Sequence, residues 1–356
     1  MHIPDGYLSP ATCAVLAAAM VPVWSTAARR AKNVVKSRYA PLMAVGAAYS
    51  FLVMMFNIPI PDGTTAHAVG AVLIACLLGP WAATISVSVA LLIQALFFGD
   101  GGVLAFGANA FNMAFVTPFV GYGIYRLLTT NTSLTSSRRA LSAGIAAYVG
   151  LNVGALVTAV EFGLQPTLFH AADGTPLYAP FDLSQTIPAM AFAHLTIAGF
   201  VEFALTVGVV AYLQRANLPL LRINHSGTAE TDAELEHRPI SLRWAFYALG
   251  AMVLLSPLGL LAPGGAFGED SPEALDLGKY HLGAVPQGLN DYTGWWSHTV
   301  LGGYGFSDGS NARLGYVVSA IVGAVAVGLA IGLVILAIRL VARLRGDDTT
   351  AAANPA

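Results

Sequence analysis

Charge is what this chain is shortest of. Asp, Glu, Lys and Arg make up 10% of its 356 residues, where a soluble protein carries roughly 25%. Together with 56% hydrophobic residues, that scarcity predicts an all-α polytopic membrane protein, since a helix crosses about 30 Å of hydrocarbon with ~20 apolar residues. The few cations are too dispersed to grip a phosphate backbone, and a net charge of −2 gives no reason to expect nucleic acid. Only two cysteines occur, Cys13 and Cys76. Both lie in apolar runs and read as small core residues rather than a disulfide or thiolate ligands. Two chemical motifs are missing as well. No G-x-x-x-x-G-K-[ST] phosphate cradle occurs, so ATP is not expected to be used by this chain, and no H-E-x-x-H pair occurs to hydrolyse a substrate. Residues 1–9 lack the Lys or Arg that opens a signal peptide, and the apolar run behind them is long enough to span. The encoded Met1 is therefore expected to be the mature terminus.

What is present is a series of apolar runs. Nine spans are predicted near 10–28, 40–57, 66–80, 82–98, 106–128, 139–160, 185–213, 242–262 and 314–338, the third and fourth separated only by Gly79-Pro80-Trp81. Basic residues set the orientation, because they stay on the cytoplasmic side. Arg29, Arg30, Lys32, Lys36 and Arg38 follow the first run; Arg126, Arg138 and Arg139 the fifth; Arg215, Arg222, Arg238 and Arg243 the seventh; Arg339, Arg343 and Arg345 the ninth. The opposite loops hold only Lys279 and Arg313. This alternation predicts the N-terminus outside and the C-terminus inside. Residues 214–241 are the most polar stretch and read as a cytoplasmic linker between a seven-span module, 1–213, and a two-span module, 242–346, with outer loop 263–313. The tail, 347–356, reads as disordered. His225 and His237 fall in the linker and read as solvated.

The outer segments are then 1–9, 58–65, 99–105, 161–184 and 263–313. A free amino terminus followed by His2 can offer a metal three linked nitrogens: the Met1 amine, the His2 backbone nitrogen and a His2 ring nitrogen. These are forced nearly into a plane, and a fourth nitrogen would complete a square that Ni(II) and Cu(II) accept and Mg(II) or Ca(II) do not. His67 is the candidate fourth donor, since it stands at the outer end of the third run. Pro4-Asp5-Gly6 and Pro61-Asp62-Gly63 are turn tripeptides that can fold polar backbone back toward the bundle. Read plainly, His2 belongs to a frayed terminus and His67 to a helix start; their common face is what favours the metal reading. His170, His281 and His298 are outer-face histidines that could take the place of His67.

Other polar residues have weaker claims. Gln94, Asn109 and Asn112 either orient the histidines and the Asp5–Tyr7 loop or make ordinary interhelical hydrogen bonds. Asp100, in a glycine-rich loop, reads as a turn residue. His194 and Glu202, eight apart in the seventh span, either form a buried pair with a neighbouring helix or do acid–base work in an intramembrane enzyme. Glu161, Asp173 and Asp182 make an acidic outer loop. Trp295 and Trp296 read as an interfacial anchor, and Gly328 and Gly332, with Gly323 before them, as a close helix contact within the chain or with a partner.

Met1-His2-Ile3-Pro4-Asp5-Gly6-Tyr7-Leu8-Ser9-Pro10 resembles the opening of the substrate-binding (S) components of nickel and cobalt energy-coupling factor (ECF) transporters, the NikM/CbiM family. The resemblance continues in Gly63-Thr64-Thr65-Ala66-His67, in Leu78-Gly79-Pro80-Trp81, in residues 94–102 and in residues 107–113. Ser256 to Gly264, Asp291-Tyr292 and Tyr304-Gly305-Phe306 resemble the small two-span companion, NikN-like, often fused behind it. The resemblance implies a seven-helix bundle that holds a metal through the Met1 amine, the His2 backbone nitrogen and the His2 and His67 rings. It also implies a transmembrane coupling (T) subunit and ABC-type ATPases as partners, and a place in the prokaryotic cytoplasmic (inner) membrane. No cofactor is implied. The Pro4-Asp5-Gly6 turn and the fused companion resemble nickel members more than cobalt members, and cobalt for corrinoid synthesis is the alternative cargo.

Overall fold

The computed structural model describes residues 1–31, 34, 40–61, 64–224, 242–262 and 264–344. The Asp62-Gly63 turn, Lys32, Lys36, Arg38, most of the expected linker with His225 and His237, and the expected tail from 347 onward lie outside those residues. The described chain is almost wholly helical. In order come α1 (Pro10–Arg30), α2 (Ala40–Met54), α3 (Ala71–Leu78), α4 (Pro80–Phe98), α5 (106–128), α6 (Ser137–Gly163), α7 (Leu183–Ala216), α8 (Arg243–Leu261) and α9 (Ala312–Leu344). Each coincides with one predicted apolar run. Six described helices are long and apolar enough to cross a membrane, among them α1, α4, α7, α8 and α9. The protein is an all-α polytopic membrane protein.

Local sequence explains where the helices begin. Ser9 caps α1 by accepting the Thr12 N–H, with Pro10 in the first turn where its missing N–H costs nothing. Asp182 caps α7 and forms a reciprocal pair with Gln185. The third run departs from expectation. Only eight of its residues are helical, about 12 Å of rise, too short to cross, because Gly70 sits at φ 73° and Gly79 at φ 88° and each interrupts the helix. Upstream of Gly70, Ile58–Pro59 pairs antiparallel with Thr65–Ala66 as strands β1 and β2. His67 thus follows β2 and precedes α3 in the short connection between them.

Three helices widen into a π-turn: α4 at Gln94–Phe98, α5 at Ala110–Val116 and α7 at His194–Ala198. Such turns are rare and frequent at functional sites. Within the chain Gly328 and Gly332 make no such contact, since a Cβ at either position would meet nothing within 4 Å among the described residues. Gly323 makes it instead, pressing α9 onto Phe51 of α2. The outer segments expected to share a face do gather at one end of the bundle. Ile3 bonds Gly102, Tyr7 bonds Ala179, and Leu177 bonds Gly288.

Candidate metal centre

The first residues are buried: Met1 is 4% exposed, His2 2% and Ile3 0%. Asn109 clamps the Ile3 peptide on both sides, accepting its N–H at 2.8 Å and donating to its carbonyl at 3.1 Å. The Gly102 N–H donates to the same carbonyl at 2.8 Å. Asp5 then accepts the Val103, Leu104 and Ala105 N–H groups at 3.1, 2.9 and 3.1 Å, capping the start of α5. A Cβ on Gly102 would lie 2.0 Å from the Asp5 Oδ1, so this approach requires glycine. Burial raises the Asp5 carboxyl, and the three backbone donors work against that rise. Tyr7 seals the far side, its hydroxyl donating to the Asp270 carbonyl at 2.8 Å and its ring between Phe162 and Phe181.

So held, His2 meets His67. Their ring centroids are 4.9 Å apart, tilted by 32°. His67 Nδ1 donates to the Ala68 carbonyl at 3.1 Å, which in a neutral ring leaves the lone pair on Nε2. Burial, then the Met1 ammonium and the His2 ring, push the His67 imidazole well below its usual value, so it is neutral. His2 Nδ1 lies 2.6 Å from Asp100 Oδ1. The Nε2 atoms of both rings are buried with no hydrogen-bond partner among the described residues. His67 Nε2, a buried nitrogen without a partner on a ring packed against a second imidazole, calls for an explanation.

Acidic groups ring the pair. Asp100 Oδ2 accepts the Tyr304 hydroxyl at 2.5 Å and the Gln94 amide at 3.3 Å. Burial would raise the Asp100 carboxyl, but the His2 ring and the Tyr304 hydroxyl hold it well below the usual range. Glu269 Oε1 stands 3.9 Å from the Met1 amine; burial raises its carboxyl, against the opposing pull of that amine. Glu269 and Tyr304 come from the stretch between α8 and α9, which closes over the site. Thr65 of β2 bridges Ala266, and the Trp296 indole donates to the Leu96 carbonyl at 2.8 Å.

Of the residues singled out by sequence, Met1, His2 and His67 come together, with Asp5, Gln94 and Asn109 bracing them. Asn112 does not join them; it donates to Thr158 and Glu161 at 3.0 and 2.7 Å, in a separate buried network. Glu161 is accordingly buried rather than part of an exposed acidic loop, while Asp182 caps a helix. His170, His281 and His298 are exposed, and none meets His2. His194 and Glu202 are buried, but they do not form an acid–base pair. Glu202 accepts the Val69 and Gly70 N–H groups at 2.7 and 3.0 Å, whereas His194 Nδ1 donates to the Met190 carbonyl at 2.8 Å. Asp100 is more than a turn residue, and Trp296 more than a surface anchor. Glu269 and Tyr304 carry no local signal in the sequence, since their partners lie some two hundred residues or more away (roughly the length of a whole domain).

Residues 2–220 match the family model CbiM, cobalt uptake substrate-specific transmembrane region. The chain is 49% identical over 335 residues to the fused nickel transport protein NikMN of Rhodobacter capsulatus, covering 91% of this chain and 94% of that one. It is 45% identical over 326 residues to the probable fused nickel transport protein LarMN of Lactiplantibacillus plantarum, covering 90% and 93%. Among solved structures, a truncated transition metal transporter shares 60% identity at a TM-score of 0.56, covering 60% of this chain and 98% of that one.

Proposed function

The chain belongs to the CbiM family of cobalt uptake substrate-specific transmembrane regions, and from that premise we propose that it is the nickel-binding S component of an ECF-type uptake transporter. It is a multi-pass membrane component of transition-metal transport, not an enzyme. The observation that carries the finer reading is the pairing of His2 with His67 beside a buried amino terminus. The Met1 amine, the His2 peptide nitrogen, the His2 ring and the His67 ring make a four-nitrogen plane suited to Ni(II). Closing a chelate ring through the His2 peptide nitrogen uses Nδ1, the ring nitrogen nearer the backbone. Loading therefore exchanges the Asp100 hydrogen bond at that atom for a metal bond.

Nickel ahead of cobalt is supported by the full-length likeness to proteins named as fused nickel transporters; a relative named as a cobalt transport protein, CbiM of Moorella thermoacetica, is 32% identical and covers 56% of this chain. The family match ends at residue 220, which supports division into a seven-helix module and a two-helix companion whose outer loop roofs the site. With no P-loop of its own, the chain depends on separate ATPases and a coupling subunit in the cytoplasmic membrane to drive release inward. His67→Ala tests the assignment. X-ray absorption of the nickel-loaded variant should show one fewer ring nitrogen than the unaltered protein, and an unchanged coordination shell would clear His67 of the role.

A further inference from the structure

α7 carries two buried ionisable side chains along the stretch that packs against the loop bearing His67. Glu202 holds the Val69 and Gly70 N–H groups, which registers the helix to the loop at one point. Eight residues earlier on α7, ~12 Å along the axis, stands His194. Three residues before Gly70 on that loop stands His67, so the turn that begins at His194 and the strand that ends beside His67 lie along the same helix–loop contact. A second contact agrees with this, since the π-turn His194–Ala198 packs against β2, whose Ala66 is the neighbour of His67.

His194 is 3% exposed. Because its Nδ1–H is committed to Met190, the lone pair of the neutral ring lies on Nε2, which is buried with no partner among the described residues. That makes a third buried imidazole nitrogen without a partner among the described residues, at the start of the turn that packs beside β2, on a side chain that the capture plane does not use. The release of the metal supplies a use for it. An ion in a planar set of four nitrogens, one of them a peptide nitrogen, leaves slowly unless a new donor enters above or below the plane.

We propose that His194 Nε2 is that donor, a further nitrogen ligand that takes over the divalent ion with His67 as it leaves the amino-terminal chelate. This rests on the reading that Met1, His2 and His67 capture the ion. In the exchange a bond from Nε2 to the metal forms, the bonds to the Met1 amine, the His2 peptide nitrogen and the His2 ring break, and those three nitrogens regain from water the protons lost on loading.

The test uses the purified full chain with Ni(II) in four forms: unaltered, extended by one residue ahead of Met1, His194→Gln, and both changes together. Failure of the unaltered chain to bind nickel tightly would sink the capture reading itself, separately from this one. Extension should disable the terminal chelate and leave weaker binding by imidazoles. Adding His194→Gln should then weaken that residual binding at least tenfold, ~1.4 kcal/mol, and remove one ring from the X-ray absorption signal; equal residual binding would overturn the proposal. With a free terminus, His194→Gln should keep capture affinity within about twofold, which also reports its folding, while nickel passes to a competing chelator about tenfold more slowly. An unchanged transfer rate, or loss of tight capture in that single variant, would equally overturn it.

Discussion

His67 owes its usefulness to the backbone beside it. Donation from Nδ1 to Ala68 fixes which nitrogen carries the lone pair, and burial keeps the ring neutral. A histidine depressed in the folded state resists protonation that the unfolded chain accepts below about pH 6.5. Acid therefore destabilises the folded arrangement below that value, and more so until the depressed folded value is passed. In the metal-free protein, the imidazole resonances of His67 should keep their neutral shifts through pH 6 and titrate only well below 6.5; a midpoint at or above that value would contradict the burial argument. The histidine pair was legible in the sequence because a terminal Met-His can chelate only as one unit and orientation placed His67 on the same side. Asp100 was not, because a carboxylate in a glycine-rich loop has the composition of any turn, and its role depends on Tyr304 arriving from 204 residues away.

Among the elements, the apolar runs predicted helices α1 to α9 in order, with ends within a few residues for most, because hydrocarbon thickness fixes how long an apolar run must be. The failure at α3 has a physical cause. Hydropathy cannot tell a buried eight-residue helix from a spanning one, and Gly70 and Gly79 at positive φ cut this one short. The small-residue motif was legible only in part, since spacing identified a smooth helix face but not which of its glycines meets a neighbour within the chain. A Cβ on Gly323 would come 1.9 Å from Phe51, itself packed against Phe98 and Tyr304. Gly323→Leu should therefore destabilise the protein by about 1–3 kcal/mol through overpacking, read as thermal unfolding in detergent. Gly328→Leu, with open space around it, should leave the transition in place. Equal effects would mean that α9 is not seated on α2 through Gly323.

At the scale of the whole molecule, five separated stretches of one chain meet at one end of a helical bundle and enclose its first residue. The terminus folds back because Asn109 and Asp5 satisfy its backbone and that of residues 103–105, and Glu269 and Tyr304 close it from the stretch before α9. Everything attributed to the site then depends on the amine of Met1 being free. The most direct measurement is nickel binding and coordination geometry of the purified chain with an unmodified Met1, set beside the same chain carrying one extra residue ahead of it. The account predicts one ion in a planar nitrogen set for the first and affinity lower by at least about 100-fold, ~2.7 kcal/mol, for the second. Equal affinity and geometry in the two proteins would contradict it.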